Sequence, residues 1–199
     1  MNCFSQVHEN SLKASASRGI MSIFCSILKR TARNDLTNQD DLGLTLMHYA
    51  AIYDHPSIIH LLFNKRIELN IKQLINGLSF GPMPLHYAVR CSSLDTASFL
   101  LNNYANSSFA DNYGWMPIHH AAYVDNVPGI KLILRRNCKA IELLTRGENK
   151  YTPLLLAANG GSLQSIKCLI ELGANLMAQD SNERNLIQIA VHRYIFMII

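Results

Sequence analysis

The sequence predicts an all-α fold, a solenoid of stacked helix-turn-helix units with hairpin loops between them. Three observations lead there. A short word recurs along the chain, centred on His48, His86, His119, Leu155 and Gln188 at spacings of 38, 33, 36 and 33 residues, and self-similarity near a period of 33 marks a repeat array. Most copies carry small residues just after that centre, as Ala50-Ala51, Ala88, Ala121-Ala122 and Ala157-Ala158, which let neighbouring helices approach closely. Each of the first four copies is then followed by apolar residues at helical spacing, for example Ile58, Ile59, Leu61 and Leu62, or Ile166, Leu169 and Ile170.

Taken in order, residues 1–38 read as a degenerate capping repeat or as a tail. In the first reading Leu12, Ala16 and Gly19 hold the first-helix positions and Phe24, Ile27 and Leu28 line a second helix, with the unit over residues 8–35. In the other, one helix runs from Ser22 to Arg30 behind an unstructured start. The array then spans residues 39–199, with repeats at about 40–72, 78–110, 111–146 and 147–179 and a partial one at 180–199. In the first, Gly43 supplies the turn and Pro56 opens the second helix, where a missing N–H costs nothing. An insertion at Ile71 to Leu78 lengthens the next hairpin. The second repeat puts Met83 where a threonine would stand, with Leu94, Ala97, Phe99 and Leu100 on its second helix. The third turns through Asp111-Asn112-Tyr113-Gly114 and starts its second helix at Asn126 and Pro128, burying Ile130, Leu132 and Ile133. In the fourth, Thr152-Pro153-Leu154 opens a helix that Gly161 ends, and Gly173-Ala174 end the next. The last begins at Asp180 and runs through Leu186, Ile187 and Ala190. Its close, Tyr194 to Ile199, is apolar where an array's outer face should be polar, which predicts either a piece of a longer protein or a tail that binds something.

These words, above all Thr152 to Asn175 but also Thr45-Leu46-Met47-His48-Tyr49-Ala50-Ala51 and Pro117-Ile118-His119-His120-Ala121-Ala122, resemble the ankyrin repeat. The resemblance implies paired helices with projecting hairpin tips and an extended concave surface that binds other proteins. It also implies that His48, His86 and His119 are structural, bonding to the turn backbone. Only His48 keeps the nearby threonine, Thr45.

Composition agrees with a folded chain. Hydrophobic residues make up 49% of the 199 and charged ones 16%, which excludes the disordered class. The net charge of +4 comes from scattered lysines and arginines, the tightest group being Lys131, Arg135, Arg136 and Lys139, which reads as a solvated helix face rather than a nucleic-acid surface. Five cysteines without close pairing suit a reducing compartment, and no run reaches the ~18 apolar residues of a membrane span. The expected setting is therefore intracellular, cytoplasm first and nucleus second. Cys138, in the Gly-Ala turn, and Cys168, on the second-helix core face, read as small hydrophobes, and His120 as an ordinary helix residue. Stacked histidines ~8–10 Å apart cannot share an ion whose bonds to nitrogen are ~2 Å long. No metal, cofactor or catalytic residue is expected.

Where ankyrin proteins place their binding surface, the resemblance points to hairpin tips and exposed first-helix positions. Here those are Leu42, Leu44, Ile52 and Tyr53; Ser79, Phe80, Arg90 and Cys91; Asn112, Tyr113, Trp115, Tyr123 and Val124; and Asn149, Tyr151 and Asn159. Tyr113, Trp115 and Tyr123 are the aromatic types that dominate interface hot spots. The alternative for Trp115, the one tryptophan, is that it packs on the neighbouring hairpin and steadies the stack. Partners are other proteins, reached either as a free scaffold or as the assembly segment of a larger channel, enzyme or multi-repeat protein.

Overall fold

The computed structural model describes residues 3–29, 38–64 and 83–198, and among them every regular element is a helix. The chain divides into two compact units, Met1–Ala105 and Asn106–Ile199. The inserted stretch around residues 71–78, with Ser79 and Phe80, lies outside the described residues.

In the first unit α1 (Cys3–Arg18) packs on α2 (Met21–Leu28) and on α3 (Leu46–Ile52), which pairs with α4 (Pro56–Asn64). The second repeat follows as α5 (Pro84–Arg90) and α6 (Leu94–Asn102), with α5 on α3 and α6 on α4. Leu12, Ala16, Phe24 and Leu28 are buried. Between α1 and α2 the chain reverses at Gly19, whose φ is +65° and whose absent Cβ leaves room for the His55 ring, 2.6 Å from where that atom would stand. That ring bonds to the Ser17 carbonyl at 3.1 Å, tying the first helix pair to the next.

The second unit repeats the plan. It comprises α7 (Pro117–Tyr123), α8 (Val127–Arg136), a short 3₁₀ helix (Cys138–Glu142), α9 (Pro153–Gly160), α10 (Leu163–Glu171) and α11 (Leu186–Ile198). Three first helices stack in sequence, α7 on α9 on α11, while α8 and α10 pack on α7 and α9. Leu155, Ala158 and Ile189 form the seam between the last two, with Tyr151, Ile166 and Leu186 at its edge.

One device joins successive repeats in both units. The turn between a first and a second helix passes through a left-handed residue, Asp54, Ser92, Asp125 or Gly161 in the four repeats, a conformation Asp tolerates better than most side chains. Ser93 and Ser162 stand at the N-caps of α6 and α10 but do not cap them. Their hydroxyls donate instead to the preceding repeat's first helix, Ser93 to Ile52 O at 3.1 Å and Ser162 to Tyr123 O at 2.7 Å. The vacated capping role passes to the preceding repeat's aspartate. Asp54 accepts from Thr96 N at 3.0 Å and Asp125 from Ser165 N at 2.6 Å.

Several expectations need correction. Leu44 is buried rather than exposed, because two hydrogen bonds with Asp40 fold the tip back and turn that side chain inward. Cys138 is exposed: the chain enters the 3₁₀ helix with φ −143° at Asn137 instead of turning left-handed as at Gly173, and Ala140 takes the buried place. Ile170 is exposed, its neighbour Leu169 filling the core, and in α11 Ile189 is the buried residue while Ile187 faces out. Cys168 is buried as expected. Among the described residues no helix is long and apolar enough to cross a membrane.

Candidate functional site

In the first, third and fifth repeats the hairpin tip is built on an aspartate that works with both carboxylate oxygens. In the third repeat Asp111 Oδ1 accepts from Tyr113 N and Trp115 N, each at 2.9 Å, while its backbone closes the turn by donating to Trp115 O at 2.8 Å. Gly114 completes the reversal at φ +76° and donates its N–H to Asp111 O. A Cβ at Gly114 would stand 2.6 Å from Gly147 N, and the Gly114 carbonyl accepts Arg146 N at 2.8 Å. The tips of the third and fourth repeats are thereby held together by backbone. Asp40 and Asp180 repeat the arrangement, with Leu42 and Leu44 or Asn182 and Arg184 as donors. Glu183 (φ 59°) and, in the fourth repeat, Lys150 (φ 50°) take the left-handed place that Gly43 and Gly114 hold in the first and third tips.

The second oxygen of each aspartate reaches a side chain. Asp40 Oδ2 accepts the Tyr49 hydroxyl at 2.6 Å, Asp111 Oδ2 accepts His120 Nε2 at 2.7 Å, and Asp180 Oδ2 holds Arg184 Nη2 at 2.6 Å. Burial raises the Asp40 carboxyl, but the donated Tyr49 hydroxyl and the Leu44 and Leu42 N–H groups outweigh it and leave the pKa lowered. The same hydrogen bond is the main reason the Tyr49 phenol is pushed up to about 12. His120 is thus no ordinary helix residue: it is buried and fastens the tip to α7. The signal for it was in the sequence, since Asp40 with Tyr49 and Asp111 with His120 share a spacing of nine.

The three recurrent histidines each brace a first-helix N-terminus. Thr45 N, Met83 N and Met116 N donate to the Nδ1 atoms of His48, His86 and His119 at 3.0, 3.0 and 3.1 Å. Because Nδ1 of His119 accepts, its neutral ring carries the proton on Nε2, which donates to Leu143 O at 2.9 Å. Burial is the chief cause that lowers the His119 pKa to about 4, against carbonyl hydrogen bonds that raise it. In the fifth copy Asn185 and Gln188 satisfy each other's backbone N–H groups at 2.9 and 3.0 Å, a capping box in different residues. Among the described residues no group of three His, Cys, Asp or Glu side chains is placed to hold a metal ion.

The anticipated interface residues fall as follows. Tyr113 is 73% exposed at the tip, with Asn112 beside it, and Val124 is exposed at the end of α7. The Trp115 ring is half-buried between His120 and Tyr123, with centroids 5.1 and 5.3 Å away and both pairs tilted. Trp115 therefore leans on its own repeat. Asn149 is exposed and its carbonyl accepts Ser181 N at 3.0 Å. Tyr151 is half-buried beside Leu155 and Ile189, and its hydroxyl accepts Arg184 Nη2 at 3.0 Å. In the first unit Leu42, Tyr53, Arg90 and Cys91 are exposed, while Ile52 is half-buried; Asn159 in the second is half-buried too.

Family models match the four repeats between residues 42 and 181. A model of three ankyrin repeats matches residues 71–146, and single ankyrin-repeat models match residues 42–71 and 149–181. The chain belongs to the ankyrin-repeat family. Among relatives of this ankyrin-repeat chain, the "Ankyrin and armadillo repeat-containing protein" of Homo sapiens is 36% identical over 180 residues, 90% of this chain and 12% of that protein. The "Tyrosine-protein kinase Shark" of Drosophila melanogaster is 30% identical over 142 residues, 70% of this chain and 14% of the kinase. The chain thus spans about an eighth of the length of these relatives. A chain in the structure of the Bd0816 predatory endopeptidase from Bdellovibrio bacteriovorus in complex with immunity protein Bd3460 has the same fold, with a TM-score of 0.75 over 94% of this chain and 93% of its own at 23% identity. Ankyrin repeats are in general protein-protein interaction modules.

Proposed function

We propose that this ankyrin-repeat chain is a non-catalytic scaffold that binds partner proteins through hairpin tips and exposed first-helix positions. In the third repeat that surface comprises Asn112, Tyr113, Trp115, Tyr123 and Val124. One observation supports it above the others: Tyr113 stands out in solvent on a tip that Asp111, Gly114 and His120 hold rigid from beneath. A large aromatic on a pre-organised backbone loses little entropy on binding, which is what a hot spot requires. Tyr53, Phe80, Arg90, Asn149 and Tyr151 belong to the same proposal, with Tyr151 and Trp115 in supporting positions. Residues 1–38 are read as the degenerate cap and 39–199 as the array, in an intracellular, cytoplasmic setting.

Affinity capture from cytosol with the wild-type chain and with Tyr113→Ala tests the reading. Proteins retained by the first and lost by the second are candidates, and a purified partner should then bind the variant about 2 kcal/mol more weakly while the melting temperature stays unchanged. A partner indifferent to Tyr113→Ala, Trp115→Ala and Tyr123→Ala alike moves the surface elsewhere. A second reading, the assembly or regulatory segment of a larger multi-repeat protein or enzyme, is favoured by the small share of each relative that the chain spans. An antibody against this chain decides it in cell extract, by a band near 22.4 kDa or one several times larger.

A further inference from the structure

The third repeat departs from the fourth just after its second helix. Where the fourth turns left-handed at Gly173 and buries Ala174, the third enters its 3₁₀ helix from Asn137, and Cys138 stays exposed. A groove opens beside that cysteine, with a volume of about 420 Å³, within the usual range of binding pockets, about 300–1,000 Å³. It is lined by Lys131, Leu134 and Arg135 of α8, Cys138 and Ile141 of the 3₁₀ helix, and Leu172 at the C-terminal end of α10. Leu134 and Ile141 are half-buried and Leu172 is exposed. The charge around them is one-sided. α8 and the 3₁₀ helix carry Lys131, Arg135, Arg136 and Lys139 against a single carboxylate, Glu142, which is already engaged in accepting Asn175 N at 2.7 Å. On α10 Lys167 and Glu171 offset each other. Lys131 and Arg135 are exposed, and among the described residues neither makes an ion pair.

We propose that this groove takes an acidic, apolar segment of a partner protein, seating one large aliphatic or aromatic side chain on Leu134, Ile141 and Leu172 with Asp or Glu beside it on Arg135 and Lys131. Charge complementarity names the occupant, since two exposed cations without carboxylate partners flank an apolar floor. Arginine holds a carboxylate through two parallel N–H···O bonds and lysine holds one as a point charge. Shape decides the occupant's class. A helix that binds a bilayer presents its apolar side chains outward, whereas Leu134 and Ile141 are half-buried in a concave floor, which a projecting side chain reaches and a flat lipid surface does not. The groove shares no lining residue with the Tyr113 tip, so either proposal can fail alone.

Random dodecapeptides displayed on phage, selected on the 199-residue protein and depleted on its Lys131→Glu/Arg135→Glu variant, supply the probe. Surviving sequences should pair Leu, Ile or Phe with two or more acidic residues. The most enriched of them, synthesised with fluorescein, should bind wild type with saturable anisotropy and the double variant about tenfold or more weakly. Both substitutions are at exposed positions, so the melting temperature should not move. Replacing the peptide's apolar residue by serine should weaken binding as much. Cys138 reports the position in wild-type protein alone: bound peptide should slow its alkylation by iodoacetamide, while Cys91, also exposed, reacts at an unchanged rate. No sequence surviving depletion, survivors without acidic residues, or binding that leaves the Cys138 rate unchanged overturns the proposal. So does co-sedimentation with phosphatidylserine vesicles that Lys131→Glu/Arg135→Glu abolishes when no peptide survives, since the cations would then serve a membrane surface.

Discussion

Replacing Asp125 separates two forces that meet at one residue. Its Oδ1 caps α10 by accepting Ser165 N at 2.6 Å, and its own backbone is left-handed at φ 61°. Losing the cap costs about 1 kcal/mol, and losing a carboxylate beside a helix N-terminus about 0.3–1 kcal/mol more. The left-handed conformation costs an ordinary side chain roughly 1–2 kcal/mol, and Asp or Asn less. Asp125→Ala loses the cap and gains strain, so it should destabilise by about 2–3 kcal/mol on those two accounts. Asp125→Gly loses the cap but sheds strain, for a net loss of roughly 0.5–1 kcal/mol. Asp125→Asn keeps an acceptor and the backbone tolerance and should lose only the charge, about 0.3–1 kcal/mol. The assay is urea unfolding followed by the fluorescence of Trp115, the chain's one tryptophan, which reports the unit containing Asp125. The expected order is Asp, then Asn, then Gly, then Ala. Equal losses in Asn and Ala would show that the acceptor is not what matters, and no loss in Ala would remove the capping argument altogether.

Thr96 Oγ1 and Ser165 Oγ are buried without a hydrogen-bond partner, at the two positions whose N–H groups the aspartates cap. Thr96→Val and Ser165→Ala should therefore be neutral or stabilising by up to about 1 kcal/mol, measured as urea midpoints. His119 is neutral in the fold with a pKa of about 4 against an ordinary 6.5. Its contribution to stability should be complete above pH 6.5 and decline as pH falls toward 4, by about 3 kcal/mol in all; His119→Gln should flatten that slope, and an unchanged slope would place the titration elsewhere. Tyr104 is left-handed at φ 68° and 82% exposed, where the fourth repeat has Gly173, so Tyr104→Gly should raise stability by roughly 0.5–1 kcal/mol, read as a higher melting temperature.

The local words of this sequence determined the repeat, its period and which helix is which, because a helix start needs particular caps and a close helix contact needs alanine wherever they occur. Thr45 with His48, Ala121 with Ala122, and Asp111 with Gly114 are legible for that reason. The tips' exposed residues, Tyr113 and Asn112 among them, were legible too, since a turn that donates its N–H groups to its own aspartate sends the intervening side chains outward. What depended on residues about 40 positions away in the chain was not legible. That Ser162 leaves its helix uncapped for Asp125 to fill, and that Tyr151 is engaged by Arg184, are outcomes of competition among several partners of similar strength, and only the packed backbone decides which partner is within reach. The same holds for burial: Leu154 and Ile187 are equivalent in sequence, yet one is enclosed and the other open, because burial belongs to the helix that covers a residue and not to the residue itself.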